Sequence, residues 1–191
     1  ITTGEGGAIL TNCVDVKKNV EQLRTHGMTK NQNELTKNEG PWYYEMHQIG
    51  YNYRITDFQC ALGSNQLKKL DDFLKKRNEI ARRYYQAFDG IEFIKLPQVN
   101  SSMMHAYHLF PVQIQFEKIG LTKLELFKRL ERRGINLQVH YIPVHLQPFY
   151  QKKFGFQLGD FPVAECFYKN EVSLPIYPDL SIQELEKVIE E

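Results

Sequence analysis

The sequence predicts an α/β protein in two parts, the end of a larger domain over residues 1–88 and a smaller α/β domain over residues 89–191. Three observations carry this. A helical periodicity runs from Thr56 to Phe88, longer than the common globular helix and of the kind that crosses from one domain to the next. Strand-like and helix-like stretches alternate after it, punctuated by Gly, Pro and capping residues. The chain also opens on Ile1-Thr2-Thr3-Gly4, in the middle of a strand-like pattern, where a complete domain seldom starts. The expectation is a fragment whose upstream part lies outside this sequence.

Composition narrows the function classes. With 191 residues there is enough chain for one large or two small domains with a real core. A net charge of +1 gives no electrostatic case for a nucleic-acid or anionic-membrane partner, and no apolar run reaches membrane-spanning length. Cys13, Cys60 and Cys166 lie far apart without CxxC spacing, which points to reduced thiols and a cytoplasmic location.

Taken in order, residues 1–12 read as strand, turn, strand, with Gly4-Glu5-Gly6-Gly7 supplying the turn of a hairpin. The same glycines fit neither the dinucleotide nor the P-loop phosphate spacing, so the hairpin is the preferred reading. Residues 15–25 form a short helix stopped by His26-Gly27, and the polar stretch 29–47 is a long loop ending in Trp42, an anchor for it. Gly50-Tyr51-Asn52-Tyr53-Arg54-Ile55-Thr56-Asp57 then launches the long helix, with Thr56 and Gln59 as its capping box. A bend is expected near Gly63 or Asp71. Its Lys and Arg residues alternate with Asp71, Asp72 and Glu79, as on a solvated face.

Beyond Asp89-Gly90, residues 91–96, 107–116, 135–141 and 172–175 read as strands. Helices are expected from Thr122, capped with Glu125, from Asp160-Phe161-Pro162, and from Ser181, capped with Glu184. Residues 143–150 are broken by proline.

Local chemistry yields no complete catalytic constellation. The six histidines include no tight metal pair; His140 and His145 are separated by a proline-containing loop. No nucleophile elbow is present, and no Cys stands beside a recognisable base motif. Asn52 and Arg54 project near a helix N-terminus, where free backbone N–H groups and the dipole favour a phosphate. Against that stand two plainer roles: Asn52 capping the turn before Thr56, and Arg54 bridging a carboxylate. Strand alternation puts Gln138 and His140 on one face and Val139 and Tyr141 on the other, so strand geometry alone does not place all four side chains on one ligand.

The combination of stretches is more specific than any one. Ile1-Thr2-Thr3-Gly4-Glu5-Gly6-Gly7-Ala8, Arg24-Thr25-His26-Gly27, the 50–57 block with Ala61-Leu62-Gly63 and Gln66-Leu67-Lys68-Lys69-Leu70, then Gln138-Val139-His140-Tyr141 with Pro143 and Leu146-Gln147-Pro148, then Ser173-Leu174-Pro175-Ile176-Tyr177-Pro178: this order and spacing resembles the DegT family of sugar-nucleotide aminotransferases. The likeness covers essentially the whole chain. Within the family, the Gln-Val-His-Tyr signature looks most like members of the pseudaminic acid pathway, which aminate a UDP-linked 4-keto-6-deoxy N-acetyl sugar.

The resemblance implies a pyridoxal-phosphate-dependent transferase of fold type I, working as a homodimer with shared active sites, with a UDP-sugar as substrate and L-glutamate as amino donor. Residues 1–88 would then be the C-terminal part of the cofactor-binding large domain with the interdomain helix, and residues 89–191 the small C-terminal α/β domain. The family's catalytic lysine falls about two residues before Ile1 by the motif's layout, so no catalytic residue is expected within this chain. Asn52 matches the family residue that reaches the partner's site at the phosphate end of cofactor or substrate. Arg54 could join it, and Gln138, Val139, His140 and Tyr141 match the small-domain contact to the nucleotide sugar. A GDP- or dTDP-keto-sugar aminotransferase of the same family is a rival reading. A lysine-less, non-catalytic sugar-nucleotide binder is another.

Overall fold

In the computed structural model, which describes residues 1–100 and 102–191, the chain divides into two units, Ile1–Leu70 and Asp71–Glu191.

The first unit is held by short elements and polar side chains. It contains helix α1 (Val14–Leu23), strands β1 (Met28–Thr29) and β2 (Glu45–Met46), and helix α2 (Asp57–Leu67). β1 and β2 are antiparallel, Met28 facing Met46 and Thr29 facing Glu45. α2 starts where the capping residues require: the Thr56 N–H and hydroxyl both donate to Gln59 Oε1, at 3.1 and 2.9 Å. Only Gly27 and Thr29 are buried here. Phe58 and Leu67 of α2 are well exposed, so this unit has no apolar core of its own.

The hairpin expected over residues 1–12 does not form. Local side-chain bonds replace a ladder: Gly4 N–H donates to Thr2 Oγ1 and the Thr3 hydroxyl to the Glu5 carbonyl. The resulting turn is tied to α2 by Gln59 Nε2, which donates to the same Glu5 carbonyl at 3.1 Å. The loop expected over 29–47 is a loop apart from the two-residue strands at its ends, and the Trp42 ring lies over Gly40. Its centre is Glu45. That carboxylate accepts from the Thr36 N–H and hydroxyl, from Tyr43 Oη at 3.0 Å and from His47 Nε2 at 2.8 Å.

The long helix is broken. α2 ends at Leu67 and helix α3 covers Leu70–Phe88. The Lys69 N–H bonds the Gln66 carbonyl, a tight i,i+3 turn that interrupts the α ladder between the two positions where a bend was expected. The sequence places the domain boundary at 88/89, whereas the units divide at Leu70/Asp71. The reason is packing: Ile80, Ala81, Tyr84 and Phe88 of α3 belong to the second unit's core.

That core lies on a three-stranded antiparallel sheet, order β3-β4-β5, made of β3 (Ile94–Lys95), β4 (Phe110–Ile114) and β5 (Glu171–Leu174). β4 alternates, burying Phe110, Val112 and Ile114, and Val172 of β5 pairs with Val112. Around the sheet are α4 (Phe116–Ile119), α5 (Lys123–Arg132), a 3-10 turn (Val144–Leu146), α6 (Pro148–Phe154), α7 (Pro162–Asn170) and α8 (Ile182–Glu190). α5 and α8 begin at the expected capping boxes, Thr122 with Glu125 and Ser181 with Glu184. They contribute Leu130, Leu185 and Val188 to the core. Each such large apolar side chain contributes about 1.5–3 kcal/mol on burial. Tyr84 is fully buried and donates to the Pro175 carbonyl at 2.7 Å; burial pushes its phenol well above the usual range.

β3 and β4 are shorter than the expected 91–96 and 107–116. β4 starts only at Phe110 because Tyr107 has φ 44°. Arg77 of α3 takes the Tyr107 carbonyl and also that of Ile176, both at 2.9 Å. Residues 135–141 form no strand. Ile135 and Leu137 are buried, and Gln138 makes one bridge to Ser173. The chain then leaves the sheet because the His140 N–H donates to the Glu171 carboxylate, 3.0 Å away, instead of to a backbone carbonyl.

Candidate functional site

Each unit carries one patch of candidate site residues. In the first, residues 50–54 run beside the C-terminal end of α1. The Tyr51 N–H donates to the Leu23 carbonyl, the His26 N–H to the Tyr51 carbonyl, and the Tyr53 N–H to the Arg24 carbonyl. Thr25 and Asn52 form a bridge at the centre of this crossing. Two glycines make it possible. A Cβ on Gly27 would lie 1.8 Å from the Gln48 carbonyl oxygen, and one on Gly50 would lie 2.2 Å from the Gly27 nitrogen.

The Tyr51 and Tyr53 rings stack with centroids 4.7 Å apart, which places these two on one side of the extended segment. Asn52 and Arg54 alternate to the other. Both are exposed, and among the described residues no hydrogen bond or ion pair engages either side chain. Neither plainer role is therefore in use: Gln59, not Asn52, caps the turn at Thr56, and Arg54 bridges no carboxylate. An uncharged amide donor and a guanidinium fork side by side are suited to phosphoryl oxygens. His26, with φ 58°, sits in the turn after α1 and contributes its backbone N–H to the crossing.

The second patch is 138–141. Gln138 is exposed, Val139 and His140 are half-buried, and Tyr141 is exposed. The His140 and Tyr141 rings meet edge to face at 4.6 Å. His140 Nδ1 lies 2.8 Å from Ser173 Oγ, and that hydroxyl lies 2.6 Å from Oε1 of Glu171, a residue with no exposed surface. An open apolar cleft of about 630 Å³ begins at Tyr141 and continues along Phe161, Pro162 and Phe167. Glu171 and Ser173, which hold His140, are not among the site residues expected from the sequence. The available signal was a carboxylate and a hydroxyl alternating within an otherwise apolar strand.

His140 and His145 do not converge. The His145 ring is buried and directs Nε2 to Glu165 Oε1 at 2.8 Å. Glu165 also accepts the Gly159 and Phe161 N–H groups, and the His145 bond, followed by these, holds its carboxyl below the usual range. Among the described residues no group of His, Cys, Asp and Glu could hold a metal. Lys123 is the lysine that burial depresses, and its ammonium is committed to the Tyr168 carbonyl. The unpartnered Asn52 and Arg54 offer an uncharged and a charged donor of the kind suited to the phosphate of a cofactor such as pyridoxal phosphate.

Comparison with known proteins supports this reading of the fold. The spore coat polysaccharide biosynthesis protein SpsC of Bacillus subtilis is 41% identical over 191 residues, covering 100% of this chain and 49% of that protein. The UDP-4-amino-4,6-dideoxy-N-acetyl-beta-L-altrosamine transaminase of Campylobacter jejuni is 36% identical over 189 residues, covering 98% of this chain and 47% of that protein. The solved structure of Helicobacter pylori PseC, an aminotransferase involved in the biosynthesis of pseudoaminic acid, superimposes with a TM-score of 0.84 at 31% identity, over 100% of this chain and 48% of that one. The chain thus spans about half the length of the relatives it matches, and its fold is that of part of a fold-type-I transferase. It matches the DegT/DnrJ/EryC1/StrS aminotransferase family over residues 1–191, and to that family it belongs.

Proposed function

We propose that the whole protein carrying this chain is a pyridoxal-phosphate-dependent aminotransferase that transfers an amino group, with L-glutamate as donor, to the 4-keto group of a UDP-linked 4-keto-6-deoxy-N-acetylhexosamine. The observation that supports the reading is membership of this family by a chain that leaves the Asn52 and Arg54 side chains exposed and unengaged and sets Tyr141, at the end of residues 138–141, on an open apolar cleft. When bound, pyridoxal phosphate supplies the electron sink and the carrier for the amino group. This chain's residues bind and orient. Asn52 and Arg54 donate to phosphoryl oxygens, across the interface of a homodimer in which each subunit completes the other's site. Gln138 and His140 offer side chains to the hexose, and Val139 and Tyr141 shape the apolar edge. A cytoplasmic setting fits three free thiols.

A second reading keeps the amination and changes the sugar nucleotide to a GDP- or dTDP-linked keto sugar. It stays open because a relative at 41% identity is named for spore coat polysaccharide biosynthesis, without mention of a UDP-linked sugar, while the UDP-sugar transaminase is 36% identical. Absorbance separates the readings. The full-length protein should carry a band near roughly 420 nm that L-glutamate removes, and a UDP-linked 4-keto sugar should restore it. Restoration by a GDP- or dTDP-linked sugar alone selects the second reading, and a protein that stays colourless with added pyridoxal phosphate refutes both.

A further inference from the structure

We propose that Glu171 and Ser173 are positioning residues that hold His140 as the Nδ1–H tautomer, so that its Nε2 accepts a hydrogen bond from the hexose of the sugar nucleotide. This rests on the sugar-binding reading of His140 given above.

The argument is one of proton counting along a chain of three groups. The Glu171 carboxylate is fully buried, and both its oxygens are spoken for: Oε2 by the His140 backbone N–H at 3.0 Å, Oε1 by the Ser173 hydroxyl at 2.6 Å. With Oε2 accepting the His140 N–H, Oε1 is assigned as the acceptor of the Ser173 hydroxyl, which spends its single proton there. The Ser173 oxygen is then left with lone pairs for its other neighbour, His140 Nδ1, 2.8 Å away. On this assignment Nδ1 is the donor, and in the Nδ1–H tautomer the lone pair falls on Nε2. No hydrogen bond among the described residues engages Nε2. The same carboxylate fixes the backbone of the residue whose ring it orients, because it bonds both the His140 N–H and, through Ser173, the imidazole. Two attachments of this kind restrain both the position and the rotation of the ring.

The polarity of the relay matters for recognition. A sugar hydroxyl or acetamido N–H can donate to an unprotonated Nε2, whereas a protonated Nε2 would offer the hexose a donor in its place. Glu171→Gln reverses the relay without changing its size. The His140 N–H requires the amide oxygen, so the amide NH2 takes the Oε1 position and donates to Ser173. Ser173 then donates to Nδ1, and the ring proton moves to Nε2.

The test uses the full-length holoenzyme labelled with 15N-histidine, the His140 signals being identified by their loss in His140→Gln. In the unaltered protein Nε2 should give the shift of an unprotonated nitrogen. Glu171→Gln should move the proton to Nε2 and weaken binding of UDP-N-acetylglucosamine about tenfold in calorimetry, with UDP alone unaffected. Ser173→Ala should also disturb the Nδ1 signal, and Ser173→Thr should restore it, which serves if Glu171→Gln folds poorly. Retention of the Nδ1–H tautomer in Glu171→Gln overturns the relay. An inverted tautomer with unchanged sugar affinity overturns the role toward the hexose. Failure of the unaltered protein to bind either UDP ligand, with the tautomer as stated, refutes the UDP-sugar reading instead.

Discussion

The rings of Tyr51 and Tyr53 stack at 4.7 Å with 8° between their planes, and this pairing sends the intervening Asn52, with Arg54, to the opposite side of the segment. A stacked pair of alternate residues stiffens the segment on one side and leaves two polar side chains unengaged on the other. That division leaves Asn52 and Arg54 available for the phosphate role proposed for them.

Arg54→Ala should weaken pyridoxal phosphate or sugar-nucleotide binding by about ten- to a hundredfold, from the roughly 1.5–3 kcal/mol of a charge-assisted hydrogen bond. Arg54→Lys should recover only part, since it keeps the charge and loses the planar fork. Asn52→Ala should lose less. Titration of cofactor and of UDP into the full-length protein checks this, and unchanged affinity for both would remove the phosphate role.

Gly27 and Gly120 make a matched pair for a stability test. Both have positive φ, 69° and 65°. A Cβ on Gly27 would overlap the Gln48 carbonyl, while one on Gly120 meets nothing within 4 Å. Gly120→Ala should cost about 1–2 kcal/mol, the strain of the left-handed region alone. Gly27→Ala should cost clearly more and should also weaken phosphate binding, because it displaces the extended segment that carries Asn52. Denaturant midpoints and ligand titrations read the two effects separately.

Acid should loosen the 36–47 loop before it unfolds the second unit. His47, then Thr36, hold the Glu45 carboxyl far below its ordinary value of 4.5. A depressed carboxylate adds stability that is complete above the unfolded value and is lost as pH falls below it toward the folded value. Loop amides should therefore lose protection, relative to their intrinsic exchange rates at each pH, below about pH 4.5. Glu45→Gln should show the reduced protection already at neutral pH and little further loss in acid. Hydrogen exchange on the Thr36 and Lys37 amides, both of which donate to Glu45, gives the reading.

What could be read from the sequence were the features with local causes. The Thr122–Glu125 and Ser181–Glu184 boxes start their helices as expected, and Pro162 opens α7, because a cap or an N-terminal proline acts within one turn. The strands over 1–12 and 135–141 were misjudged because a ladder needs a partner that periodicity does not supply. Thr2 and Thr3 bond their own loop, and Glu171 takes the N–H that His140 would have given a neighbouring strand. Asn52 and Arg54 stand out through the motif around them, although their freedom from internal partners appears only in three dimensions. Glu171 and Ser173 approach His140 from more than thirty positions away in sequence, and no spacing rule reaches so far.

The measurement that bears most directly on the amination is isotopic. The full-length protein, loaded with pyridoxal phosphate, is given 15N-labelled L-glutamate and a UDP-linked 4-keto-6-deoxy-N-acetylhexosamine, and the sugar nucleotide is analysed by mass spectrometry and NMR. The account predicts a 15N-labelled amino group at C4 of the hexose and 2-oxoglutarate in equal amount. A recovered keto sugar without label, under conditions where the cofactor is bound and glutamate is present in excess, would contradict it.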